Sequence, residues 1–188
     1  MKTAAFIALL TFAGSAPANL LVNGDFEQTI DVGWDTIAEN FAGGDTFTWT
    51  DTLGQPSPGQ AVAVRKYLAK CASMNQTVDV PDVNLTLTFD GCLEIGGGSS
   101  TCWPVAAFVV RYLDSSGTCL GNTQLYLHDQ YCDWAASDTQ SLIDVTMPGV
   151  WTQYRLDIAD ELSRHLPGIA AANVKKLTVD LYAYDNGT

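Results

Sequence analysis

Two groups of side chains in this sequence have types and spacings that suit recognisable chemistry. Asp25 and Glu27 flank Phe26 just after Asn23-Gly24, a turn signal. On an alternating strand both carboxylates point to one side while Phe26 turns to the core, and hard oxygen donors beside backbone carbonyls suit calcium. The second group is aromatic. Tyr182 and Tyr184 share a side with Asp180, opposite Leu177, Val179, Leu181 and Ala183; Tyr126 and His128 stand opposite Leu125 and Leu127. Flat rings stack on the apolar faces of pyranoses, and neighbouring amides and carboxylates take the hydroxyls. With Trp134 (like Trp103, in a loop beside a cysteine), the residues Tyr126, His128, Asp180, Tyr182 and Tyr184 are the candidates for a shallow ligand platform. The competing reading is that the same rings form a second layer of core beneath covering loops.

Catalytic chemistry is poorly supplied, and no enzyme is expected. The only two histidines are His128, on an outward strand face, and His165, near the end of a short helical stretch. No G-x-S-x-G elbow occurs, and the acids form no distinctive motif for glycoside hydrolysis. Gly96-Gly97-Gly98-Ser99-Ser100 is followed by neither a lysine nor a helical pattern, so it reads as a hairpin loop and not a phosphate cradle. The net charge of −12 repels phosphate backbones and anionic lipid, which argues against nucleic acid and membrane partners.

The elements that must position these residues are short strands. Alternation or apolar runs mark Asp45 to Thr50, Ala61 to Arg65, Gln76 to Val80, Val83 to Ile95 with a bulge at Gly91, Val105 to Leu113, Gln124 to His128, Ser141 to Met147, Trp151 to Ile158 and Leu177 to Tyr184. One helix is expected, from Ala159 to Leu166, ended by Pro167-Gly168. Short strands separated by Gly, Pro and Asx turns predict an all-β fold, an antiparallel β-sandwich of the jelly-roll kind.

Met1-Lys2, the apolar run Ala4 to Phe12 and Ser15-Ala16-Pro17-Ala18 have the order of a secretory signal peptide cut after Ala18. Residues 1–18 are therefore expected to be a leader, and 19–188 a single secreted, extracellular domain. Five cysteines in an exported chain suggest disulfides, with at least one thiol left free or paired to another chain. Their connectivity stays open. A hairpin around the glycines would put Cys92 and Cys102 in cross-strand register.

The stretch Asn19-Leu20-Leu21-Val22-Asn23-Gly24-Asp25-Phe26-Glu27, followed by Gly33-Trp34, resembles the opening of carbohydrate-binding modules whose first strand reads N-L-L-x-N-G-x-F-E, in the galactose-binding-like jelly-roll group. Ala61 to Val64, Gln76 to Val80, Leu85 to Phe89 and Trp151 to Leu156 extend the resemblance with more generic β patterns. It implies a non-catalytic module that tethers its protein to a polysaccharide or other glycan, with a structural calcium held through Asp25 or Glu27. It also implies one more strand after the turn Asp185-Asn186-Gly187-Thr188, pairing near the first strand and bringing another acid to the calcium. Either that strand follows in a longer chain, or the sheet edge it leaves open is filled by the N-terminal segment or by a neighbouring chain. The alternative function is accordingly a structural subunit that self-associates into dimers or filaments by strand addition at the open edge.

Overall fold

The computed structural model describes residues 3–13 (backbone), 19–40, 44–54, 59–67 and 69–187. Two β-sheets pack face to face as an all-β sandwich. One has five strands in the order β10 (Thr152–Asp157), β6 (Thr86–Glu94), β1 (Thr3–Ala13), β4 (Ala61–Lys66) and β3 (Thr46–Thr50). The other has six, in the order β2 (Asp35–Ala38), β5 (Lys70–Asp79), β11 (Lys176–Asp185), β7 (Pro104–Leu113), β8 (Cys119–His128) and β9 (Gln140–Asp144).

Alternation built these sheets as expected. Leu87, Phe89 and Leu93 from β6 meet Phe108, Val110, Leu177, Val179 and Leu181 from the opposite sheet in one buried cluster. Phe89 stacks on Phe108 across the sandwich, centroids 3.9 Å apart. Helix α1 (Ile158–His165) starts where Asp157 accepts a hydrogen bond from the Asp160 amide at 3.0 Å, and it buries Ile158 and Leu162. No helix among the described residues is long and apolar enough to cross a membrane.

Several expectations are corrected. Asn19 to Gly33 is a coiled turn and not a strand, because side chains capture its backbone. Asn23 adopts φ 50° and Phe26 φ 55°. The Asn23 side-chain amide donates to the carbonyls of Gln28 and Thr29 at 3.1 and 3.2 Å, and its oxygen accepts from the Gln28 amide at 2.9 Å. Asp25 and Glu27 therefore do not share a strand face, and both are exposed, although Phe26 is buried as expected. Buried Gln76 of β5 clasps the loop, donating to the carbonyls of Val22 and Gly33 and accepting from the Val22 amide.

Strands β6 and β7 fall in different sheets, so the glycine segment is a crossover between layers and Cys92 and Cys102 are not cross-strand partners. All five cysteines are free thiols. Gly91 itself pairs regularly, with Thr152 of β10 and Ile7 of β1, and the register shift falls in β1 between Ala8 and Leu10, opposite Asp90 and Phe89; a Cβ on Gly91 would lie a tight 3.3 Å from the rings of both Phe89 and Tyr154. The pairing is also not wholly antiparallel: β9 runs parallel to β8, the Asp129 to Thr139 connection carrying the chain back to the same end of the sheet. Apart from these corrections, Thr3–Ala13, which carries the leader signature, is the middle strand of the five-stranded sheet, antiparallel to β4 and β6.

Among the described residues one ionic contact is fully buried. Lys66 Nζ lies 2.6 Å from Asp45 Oδ2, with both side chains 0% exposed. Lys66 also donates to the Asn40 carbonyl at 3.0 Å, and Asp45 Oδ1 accepts from the Tyr67 amide at 2.6 Å.

Candidate functional site

The solvent side of the six-stranded sheet gathers most of the predicted platform. Register places Tyr182 of β11 beside Ala107 and, across β7, Tyr126; it places Tyr184 beside Val105 and, beyond it, His128. The next row along the strands holds Asp180, Val109 and Gln124, and the row after it Thr178, Arg111, Asn122 and Gln140. The Asp129 to Thr139 connection folds Trp134 over this surface.

Trp134 is the hub of the rings. Its centroid lies 5.8 Å from Tyr184, 6.2 Å from Tyr126, and 6.3 Å from Tyr182 and Trp103. Tyr182 and Tyr184 are nearly parallel, at 10° and 6.2 Å, and His128 stacks on Tyr126 at 4.6 Å. Both sequence-based readings of these rings therefore have a part. Trp103 and Tyr126 are buried with Val105, Ala107 and Val109 as a small second core, whereas Trp134, Tyr182, Tyr184 and His128 are half-buried at its rim.

Polar groups beside the rings are fixed by one another. Asp180 is only 2% exposed, and it accepts from Ser73 Oγ at 2.6 Å and from Arg111 Nη2 at 2.7 Å. Burial raises its carboxyl above the ordinary range, against the opposing pull of Ser73 and Arg111. Burial, with Asp144 next, pushes the Tyr126 phenol up to about 12, and burial also raises Tyr182 and Tyr184. All three phenols thus stay protonated at neutral pH and can donate hydrogen bonds. His128 Nδ1 faces the Asp129 carbonyl at 2.7 Å, and Nε2 lies 3.4 Å from Asp144.

Two cavities open on either side of Tyr182. One, of about 220 Å³, is lined by Val109, Arg111, Gln124, Trp134, Gln140 and Tyr182. The other, of about 650 Å³, runs between Tyr182 and Tyr184 and the Glu39, Asn40 and Lys70 region. Sequence reasoning missed Arg111, Gln124, Gln140 and Ser73. A signal for the first two was present: Arg111 is the one charge in the apolar run Val105 to Leu113, and Gln124 shares the parity of Tyr126 and His128.

Asp25 and Glu27 lie apart from this face, in the opening loop, where Asp25 Oδ1 accepts from the Glu27 amide at 3.4 Å. Among the described residues no three His, Cys, Asp or Glu side chains gather as a metal-binding group. No protein-family model matches the chain, and no curated protein matches it.

Proposed function

We propose that this protein is a secreted, non-catalytic carbohydrate-binding β-sandwich, related to the jelly-roll modules that its opening residues resemble. The observation that supports this reading is the rim of half-buried rings, Trp134, Tyr182 and Tyr184, standing beside two cavities edged with amides and a guanidinium. Rings of this kind stack on the C–H faces of sugars, and amides pair with hydroxyls. The opening loop, with Asp25 and Glu27, is the proposed seat of a structural calcium. Affinity electrophoresis through gels containing soluble plant and microbial polysaccharides tests the reading. Retardation by at least one polymer is expected, weakened about tenfold by Tyr182→Ala or Trp134→Ala. Migration unaffected by any polymer would refute it.

One observation favours a second reading, self-association by strand addition. The segment with the leader signature is the middle strand of a sheet, so its removal after Ala18 would unpair β4 and β6 along facing edges. A strand from a neighbouring copy would restore both ladders. Sedimentation of the secreted protein distinguishes the two: a monomer across the micromolar range opposes assembly, and a dimer or filament supports it.

A further inference from the structure

The smaller cavity has features that a flat stacking platform does not need. Its lining joins a ring wall, Trp134 and Tyr182, to a polar floor and far wall made by Gln124, Arg111 and Gln140. Gln124 is 9% exposed; its Nε2 donates to Asn122 Oδ1 at 2.8 Å, but its Oε1 is buried and accepts no hydrogen bond from any described group. A buried acceptor without a donor is destabilising, and a ligand hydroxyl would remove that cost. The one charged lining group, Arg111, has its charge matched by Asp180 at 2.7 Å. The volume of about 220 Å³ lies below that of pockets for drug-sized ligands, roughly 300–1,000 Å³, and suits a single ring. Across Tyr182 the space widens to about 650 Å³, enough for further units.

Resting on the glycan-binding reading above, we propose that this cavity is a subsite for one uncharged terminal pyranose unit. Gln124 Oε1 accepts from a ring hydroxyl, Trp134 and Tyr182 flank the ring's apolar face, and the rest of the chain passes Tyr182 into the larger cavity. The Arg111–Asp180 pair is the selectivity element. Asp180 keeps the guanidinium from recruiting the carboxylate of a uronic acid, while leaving it N–H groups for neutral oxygens.

The test measures binding of methyl glycosides by saturation-transfer NMR and calorimetry, using neutral hexoses and pentoses and the matching uronic acids, on the wild type, Gln124→Leu and Asp180→Asn. The expected result is binding of at least one neutral glycoside, roughly five- to tenfold weaker in Gln124→Leu. Uronic acids should bind only to Asp180→Asn, where Arg111 loses its partner. Circular dichroism establishes that each variant is folded; should Asp180→Asn fail to fold, the neutral-against-uronic comparison on the wild type and Gln124→Leu decides. Uronic acids binding the wild type as tightly as neutral sugars would overturn the proposal, as would Gln124→Leu binding like the wild type. Polymers that bind while every monosaccharide glycoside fails would overturn the terminal subsite and leave the glycan-binding reading standing. Failure of polymers and glycosides alike would remove both.

Discussion

Replacing Lys66 by methionine removes one half of an ion pair whose two side chains are both 0% exposed. Methionine fills nearly the same volume, so the dominant effect is electrostatic: the Asp45 carboxylate stays buried with the Tyr67 amide among its remaining partners, and the Asn40 carbonyl loses the Lys66 ammonium. Breaking a buried pair in this way costs about 3–5 kcal/mol, a large share of the ~5–15 kcal/mol that holds a domain together. With a urea m-value of about 2 kcal/mol/M, the unfolding midpoint falls by about 2 M. Lys66→Met combined with Asp45→Asn should recover much of this loss. The asparagine keeps an acceptor for the Tyr67 amide, leaves no buried charge, and offers an N–H toward Asn40. A coupling free energy of about 2 kcal/mol is expected from the double-mutant cycle, measured by urea unfolding followed by tryptophan fluorescence. If the double variant loses the sum of the two single losses within about 0.5 kcal/mol, the two charges do not act as a closed unit and the reasoning fails. The cycle bears on the candidate site as well, because Asn40 lines the larger cavity.

Burial raises the Asp180 carboxyl above its ordinary 3.8, so its stabilising contribution is present below that value and is lost as pH rises through the higher folded pKa. The melting temperature of the wild type minus that of Asp180→Asn should therefore fall as pH rises through the acid range; a difference that grows with pH would contradict this. Tyr112→Phe deletes the phenol that meets Thr123 Oγ1 at 2.8 Å, within a buried chain in which Thr123 donates to Glu161 at 3.0 Å. A loss of about 1 kcal/mol is expected, read by the same urea titration. Calcium added to chelator-treated protein should raise the melting temperature, and Asp25→Asn with Glu27→Gln should abolish the rise; equal melting curves with and without calcium would remove the ion from the opening loop.

The parts of the fold that a period of two governs were readable in advance. Leu85, Leu87 and Phe89 lie inward, Tyr182 and Tyr184 stand opposite Leu181 and Ala183, and the short helix starts within a residue of its expected position. Alternation says which side of a strand is wet, but not which strand lies next to it. That is why the glycine segment was read as a hairpin when it crosses between sheets, and why the parallel β8–β9 pair was missed. The opening loop failed for a local reason: Asn23 offers its backbone neighbours side-chain hydrogen bonds that outcompete a ladder. In the site, the rings were identifiable because aromatic residues on an outward parity stand out. Gln124 lies on that same outward parity, whereas Ser73 gives no such signal, because its role depends on a partner 107 residues away in sequence.

Strand β11 lies between β5 and β7, with which it pairs over its full length, and it follows every other described strand in sequence. A nascent polypeptide therefore holds the two halves of the larger sheet, β2-β5 and β7-β8-β9, with nothing to join them until residues 176–185 have left the ribosome. Since Asp180, Tyr182 and Tyr184 ride on that same strand, the step that closes the sheet also assembles the recognition surface. A partly made chain would lack both, and a release of the chain before this point would yield two unjoined ribbons with no ligand face between them.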